Sequence, residues 1–461
     1  MKGWQRWAAP LLGVIALGQW ASPAAASGFA IAHFGGEHGS VVATDPTALF
    51  FNPGGIAFSP SSQLYVDGEL AIRHLSWTHQ PGTGDVPEPA TGANYGTANA
   101  LNVFGGPMVG GILKLGDFAL GAAGYAPFGG SLHFDQNEAF AGSMFPGAID
   151  GVARWHAYEA STMSIYGTLG AAYKLGPVSL GMTGNLIFTT LDFKRAQNFG
   201  GGAGINDVQS EGRSHLDVHG VNGSFAVGAM VEAIPEQLWF GASYQAQPGL
   251  GEMRLDGTLT IDPSYTLMND ASNVAVTFRQ ALPDILRLGA RFKPSEKVEL
   301  RLVGDITRWG VMQTQCLSVR DKPCTVQADG GPAPGSGVIV NFRRYWRDTF
   351  GVKGGASYWF VPEFELFGGV GYESGAEPDS TLEPGLADAN NVLASLGGRL
   401  RLADRWFIAL SYTHLQFLDR DNTGKSQLAN PGVQAITRRP DGGGVYKQWV
   451  GLVDANVAVM F

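Results

Sequence analysis

Four short stretches of the chain carry residue types that do chemistry in other proteins. The first is "HFGGEHG", with His33, Glu37 and His38. A helical zinc site needs two histidines one turn apart, with a glutamate beside the first. Here the spacing is wrong and the glycines oppose a helix, so no metal site is expected. The second is "HGVNGS", where His219, Asn222 and Ser224 suggest a hydrolase. On a strand, positions 219 and 224 point to opposite faces, so no local nucleophile–base pair forms. The third, "GGGAG" (residues 200–204), is a glycine run without a following helix to complete a phosphate site. The fourth is the pair Cys316 and Cys324, eight positions apart without a nearby histidine. In an oxidising compartment that spacing reads as a small loop disulfide. No catalytic residue and no cofactor are expected.

The compartment is set by the first 26 residues. Lys2 and Arg6 make a positive start, Ala8 to Leu17 an apolar core, and Ala24-Ala25-Ala26 a small-residue cleavage site. This is read as a secretory signal peptide over residues 1–26, too short for a membrane span. The formal charge of −9 becomes about −11 without Lys2 and Arg6, which argues against nucleic acid as a partner. Glycine supplies 66 of 461 residues and charged residues only 15%, which argues against several soluble domains. No later segment offers the roughly 18 apolar residues in a row that a membrane helix needs.

What the rest offers is period two. In "KVELRLVGDITRW", Val298, Leu300, Leu302 and Ile306 fall on one face, and Glu299, Arg301 and Asp305 on the other. "DILRLGARF" and "VDANVAVMF" repeat the pattern. Fourteen strands are expected, near 62–78, 97–115, 117–129, 158–174, 178–195, 212–233, 237–261, 273–293, 296–314, 337–360, 363–380, 389–403, 405–421 and 444–461. Several are far longer than the usual five or six residues. Tight connections at 115–117, 175–177, 234–236, 293–295, 361–362 and 402–404 alternate with long ones. Long strands with this turn asymmetry predict an all-β fold, a 14-stranded antiparallel transmembrane β-barrel. The even count places both chain ends and the tight turns on the periplasmic side. Trp239, Trp309, Trp346, Trp359 and Trp406 fall near strand ends, where interfacial belts sit. Arg287, Arg291, Glu299, Arg301, Arg399 and Arg401 are expected to form ion pairs in the lumen.

Residues 27–60 belong to no strand, yet they include the apolar stretch "ATDPTALFFNPGGIAF". A barrel of this size has room inside for a plug. The division is therefore a signal peptide over 1–26, an N-terminal hatch over 27–60 plugging the lumen, and the barrel over 61–461. Pro53 fixes φ, Gly54 and Gly55 allow φ > 0, and Asn52 can bond its own backbone, so a compact turn is expected there.

At these residues the chain resembles the FadL/TodX outer-membrane transporters of long-chain fatty acids and other hydrophobic compounds. The resemblance begins at "SGFAI" (Ser27, Gly28, Phe29 onward) and runs through "ATDPTALFFNPGGIA", which includes Phe51, Asn52, Pro53 and Gly54. It returns at "YAPFGG", "QALPDILRLGARF", "DITRWG", "RDTFGVKGGASYW" and "GVGYESG". It implies a passive, hatch-gated path in the outer membrane of a Gram-negative bacterium. A ligand enters among the outer loops, rests beside the hatch, and leaves sideways at a kink in the third strand. Here the implied gate residues are Gly121, Gly124, Pro127, Phe128 and Gly129, the glycines weakening pairing and Pro127 removing a ladder donor. Lys194 and Arg195 match a basic family segment and are the implied partners of a carboxylate head group; parity lets only one face inward. Some relatives carry a further lysine after the position of Trp309, where this chain reads "GVMQTQC". Aromatic or alkane hydrocarbons therefore stand as the alternative cargo. The expected partners are the hydrophobic ligand, outer-membrane lipid, and the barrel-assembly machinery acting on the C-terminal strand, with the protein a monomer. A polar-solute porin and an outer-membrane lipase are the rivals from other classes.

Overall fold

A computed structural model describes residues 33–80, 92–199, 206–263, 271–327, 331–403, 405–429 and 439–461. The expected signal peptide and Ser27, Gly28 and Phe29 lie outside the described residues. No helix of the described residues is long and apolar enough to cross a membrane. The wall is built instead from antiparallel strands β1 (Gln63–His79), β2 (Gly96–Leu115), β3 (Phe118–His133), β4 (Glu159–Leu175), β5 (Val178–Asn198) and β6 (Glu211–Ile234). These are followed by β7 (Leu238–Gln245), β8 (Met253–Asp262), β9 (Ser272–Gln280), β10 (Ile285–Ser295), β11 (Val298–Thr307), β12 (Thr314–Val319) and β13 (Val338–Arg343). The last are β14 (Thr349–Val361), β15 (Phe364–Glu373), β16 (Asn391–Leu402), β17 (Trp406–Phe417), β18 (Arg420–Asp421) and β19 (Gly444–Met460). β1 pairs with β19 from Gln63↔Met460 to His79↔Gly444, which closes the sheet.

The segments β7/β8, β9/β10, β11/β12, β13/β14 and β17/β18 each make one interrupted stave, so the barrel has fourteen staves. Four neighbouring staves break between Gln245 and Met253, Gln280 and Ile285, Thr307 and Thr314, and Arg343 and Thr349. The sequence periodicity runs straight through these points. Pro248 and Pro283 supply no backbone donor there, and Leu250 and Tyr345 take left-handed φ of 53° and 52°. The breaks turn Leu282, Trp309, Met312 and Trp346 inward into one buried cluster with Phe34, Phe50, Tyr125, Phe128 and Tyr166. Trp309 and Trp346 meet edge to face at 5.0 Å. The belt assignment for these two is therefore corrected: a broken stave aims its side chains at the lumen, not at lipid. Trp239 is likewise buried, under Arg291 at 4.2 Å, while Trp406 is exposed.

Polarity is inverted relative to a soluble sheet. On β5 the outward residues Leu180, Met182 and Leu186 are 56–65% exposed, while Ser179, Thr183, Asn185 and Thr189 are buried inside. β1 exposes Leu64, Val66 and Leu70 and buries Asp67, Glu69 and Arg73. Such a wall is stable only where its skin meets hydrocarbon. Of the expected lumen charges, Arg301 bonds Glu299 at 2.7 Å and Arg399 lies 3.6 Å from Glu365. Arg287 stacks over Phe50 at 4.7 Å, and Arg401 over Phe407 at 5.9 Å.

Residues 33–60 lie against the inner face of this wall. Ala48–Phe51 form a single helical turn (α1), followed by a 3-10 helix over Pro53–Phe58. Asn52 joins the two. Its Oδ1 accepts the Gly54 N–H at 3.1 Å, and its Nδ2 donates to the carbonyls of Val41 at 2.7 Å and Ala229 at 2.9 Å. Ser179 and Ser243 donate to the carbonyls of Gly54 and Phe51, both at 2.6 Å. The expected positive φ is not used at Gly54 or Gly55. Glycine is needed there for space: a Cβ on Gly54 would lie 2.9 Å from the Gly228 carbonyl, and one on Gly55 would strike the Ala43 carbonyl. From the wall side, a Cβ on Gly228 would strike Asn52.

Asn52→Ala leaves buried carbonyls without donors and is expected to cost about 1–3 kcal/mol of stability, read as an earlier denaturant midpoint of the barrel in detergent. Gly228→Val should dislodge the Asn52-Pro53-Gly54 turn and raise ion conductance in planar bilayers; unchanged conductance would show that the turn does not block the bore.

Candidate functional site

The third stave is where the wall fails. β3 pairs with β2 from Leu115↔Phe118 up to Met108↔Tyr125 and no further. β2 continues upward paired only with β1, and β3 continues paired only with β4. The β3–β4 register slips by one residue between Tyr125 and Phe128, around Pro127. An extra residue bends the bulged strand away from its neighbour. Higher up, the strands are tied again: the His133 N–H donates to Asn102 Oδ1 at 3.0 Å and the Asp135 N–H to the Asn99 carbonyl at 2.8 Å. Between these ties Val103–Pro107 and Ala126–Leu132 share no ladder pairing, leaving a window in the wall. Pro127, Phe128 and Gly129 lie at this window. Gly121 and Gly124 lie below it, in the paired part of the strand, where a Cβ on Gly121 would come 2.7 Å from Leu49.

Inside the window is a cavity of about 170 Å³. Phe50 and Phe51 of the leading segment form part of its lining, Phe104, Pro127 and Phe128 the window side, and Trp309 the broken staves. Its cations are Arg287 and Lys353, with Asp305 and Glu373 nearby in the lining. Lys353 pairs with Glu373 at 2.9 Å. Lys353 was legible only as an inward position on a strand otherwise rich in glycine.

Lys194 and Arg195 separate as parity requires. Lys194 bonds Glu159 across the strands at 2.8 Å and is part exposed. Arg195 is buried and lies 5.7 Å over the Phe342 ring. Two arginines that the sequence did not single out share that ring, Arg439 at 4.3 Å and Arg344 at 5.4 Å. Both belong to loop segments, where no periodicity marks an inward position. Of the motifs set aside, the glycine run at 200–204 lies outside the described residues, and the side chains of the other two stay apart. The His33 N–H donates to Glu69, Glu37 accepts from Ser395 and His38 bonds Glu365, each at a different point of the wall. Among the described residues no group of side chains could hold a metal. Ser224 faces inward to Asn185 at 3.0 Å, while His219 points outward beside Phe188. Cys316 and Cys324 are bonded to each other.

Above the cavity the outer loops form a roof. Glu383, on the connection from β15 to β16, is fully buried. Its carboxylate accepts from Arg344 at 2.5 Å and from Arg439, and faces His156 Nδ1 at 3.3 Å. Burial alone would raise this carboxyl, but Arg439 and Arg344 hold it well below the usual range. Asp388 on the same connection is pushed up to about 6, mainly by burial, against the Ala376 N–H that it accepts.

A profile of the family described as outer membrane protein transport protein (OMPP1/FadL/TodX) matches residues 13–439. An outer membrane protein of Neisseria meningitidis serogroup B is 21% identical over 400 residues, covering 82% of each chain. Among solved structures, a Pseudomonas aeruginosa FadL homologue superposes with a TM-score of 0.72 at 18% identity, covering 95% of this chain and 99% of that one. The Pseudomonas putida toluene transporter TodX gives 0.61 at 15% identity, with 94% and 98% covered. The Ralstonia pickettii toluene transporter TbuX gives 0.58 at 13%, with 90% and 94% covered. At these identities the likeness to solved structures is one of fold.

Deleting Pro127 removes the extra residue of the bulge and should zip β2 to β3. Uptake of a labelled hydrophobic ligand is then expected to fall to that of cells lacking the protein, with the barrel still folded by heat-modifiable gel mobility. A raised carboxyl pKa stabilises the fold below its unfolded value and stops doing so as pH climbs through the folded one. Through Asp388, hydrogen-exchange protection of residues 374–390 should therefore be greater at about pH 5 than at about pH 8; the opposite order would contradict the burial assigned to Asp388.

Proposed function

The chain belongs to the OMPP1/FadL/TodX family of outer membrane transport proteins, and on that premise we propose that it carries long-chain fatty acids inward by diffusion. The family is one of channels for hydrophobic compounds in the outer membrane, not of enzymes. The observation that carries the finer reading is a single cavity touching both the leading segment, at Phe50 and Phe51, and the window, at Pro127 and Phe128. Residues 33–60 act as a hatch that closes the axial bore. The window is the lateral exit. An acyl chain leaving through it passes from protein to lipid without crossing water, which would cost about 0.8 kcal/mol per CH₂. Arg195, turned inward, is the head-group partner; Lys194 stays at the rim, paired with Glu159.

A second reading, uptake of single-ring aromatic hydrocarbons, is favoured by the size of the cavity. About 170 Å³ is close to the roughly 150 Å³ of an apolar cavity that takes benzene. A long acyl chain would have to extend beyond it, toward the roof or the window. The two readings differ in what the cations do. Arginine holds a carboxylate through parallel charge-assisted bonds and offers a neutral hydrocarbon none.

Changing Lys194 and Arg195 together to alanine is expected to weaken fatty-acid binding in calorimetry by about 1.5–3 kcal/mol, the worth of a hydrogen bond to a charged group, and alkane binding far less. Equal loss for both ligands would remove the head-group role.

A further inference from the structure

The roof contains a carboxylate site that the chain fills with its own side chain. Arg344 and Arg439 are both buried and converge on the Glu383 carboxylate. Together with Arg195 they surround one ring, that of Phe342. Under them lies a small cavity of about 50 Å³. Its walls are apolar at Phe193, Leu216, Phe278 and Phe342, and its only charged lining residues among those described are Arg344 and Arg439. Such a pairing, a greasy pocket ending in two guanidiniums, suits an amphiphile with one carboxylate.

The pocket is too narrow for an acyl chain as it stands, since 50 Å³ holds only a water or two. The segment that narrows it starts at Glu383. Pro384–Leu386 form a 3-10 turn, and Gly385 and Leu386 line the cavity. Leu386 also packs against the central apolar cluster that holds Phe50 and Phe128. The cavity further touches Gly130, two residues beyond Phe128 on β3. One short turn thus joins the ion pair above to the cavity beside the window below.

We propose that Glu383 is a built-in competitor: a ligand carboxylate exchanges for it on Arg344 and Arg439, and this exchange frees the Pro384–Leu386 turn to open the roof. Like replaces like, so neither guanidinium is left buried without a counter-charge during the exchange. A neutral hydrocarbon cannot make the trade and leaves the latch closed. The inference rests on the fatty-acid reading above and adds to it a reason for discrimination at the outer mouth.

The test is binding of palmitate and of methyl palmitate to the full-length barrel in detergent, for the wild-type protein, Glu383→Gln and Arg344→Gln. Glu383→Gln removes the competing charge while keeping the shape of the side chain. It should tighten palmitate by about tenfold or more, the size of one lost charged competitor, and leave the ester unchanged. Arg344→Gln should weaken palmitate and spare the ester. If Glu383→Gln leaves palmitate binding the same or weaker, or shifts acid and ester alike, the latch is overturned while the transport reading stands. If neither ligand binds any of the three proteins, the transport reading and the latch fail together.

Discussion

A backbone that faces hydrocarbon has no water to bond, so its ladder must close on itself. The architecture follows from that one constraint. β1 runs beside β19 along its whole length because an open edge between them would strand amide groups in lipid. The same constraint explains how the wall can fail in one place. The unpaired stretches of β2 and β3 hold Pro107 and Pro127, which have no N–H to leave unsatisfied. Side-chain and backbone bonds from Asn102 and Asn99 confine the gap above, and Met108–Tyr125 confines it below. A window so bounded removes pairing over a few residues and leaves the cylinder intact.

The inner face holds the leading segment in two ways, by apolar packing of Leu49 and Ile56 on Ile112, Ala119 and Ala172 and by buried hydrogen bonds. Asn52 is its pivot. One amide side chain caps the turn, ties it to Val41 and reaches the wall at Ala229. Gly228 in the wall and Gly54 in the turn let two backbones meet without side chains between them. Around this contact the segment places Phe50 and Phe51 in the cavity lining, with Phe34 packed edge to face behind Phe50. The segment thus has a hydrogen-bonded anchor at Asn52 and contributes aromatic rings to a cavity that also carries Arg287, Lys353, Asp305 and Glu373.

Much of this was legible in the sequence, for a physical reason. Period-two alternation reports which face meets lipid, and tight turns report where a stave ends, so wall, parity and chain-end placement follow from short-range pattern. Pro127 could be read as a disruption because it lacks a donor wherever it sits. The breaks in four staves were not legible, because alternation persists on both sides of Pro248 and Pro283. Trp309 and Trp346 were therefore read as belt residues, although tertiary packing turns them inward. The roof was hidden for a different reason. Arg344, Glu383 and Arg439 are brought together from connections far apart in the chain, and loops carry no period that says which side chain is buried.

The proposed route runs from the roof to the cavity, and from the cavity sideways through the gap in the third stave. Photo-crosslinking with a diazirine-bearing fatty acid, followed by peptide mass spectrometry of the labelled barrel, tests it most directly. The account predicts adducts at Phe104, Pro127 and Phe128 and on surrounding lipid. Adducts running instead through residues 36–40 to the periplasmic side, with none at β2 or β3, would contradict it.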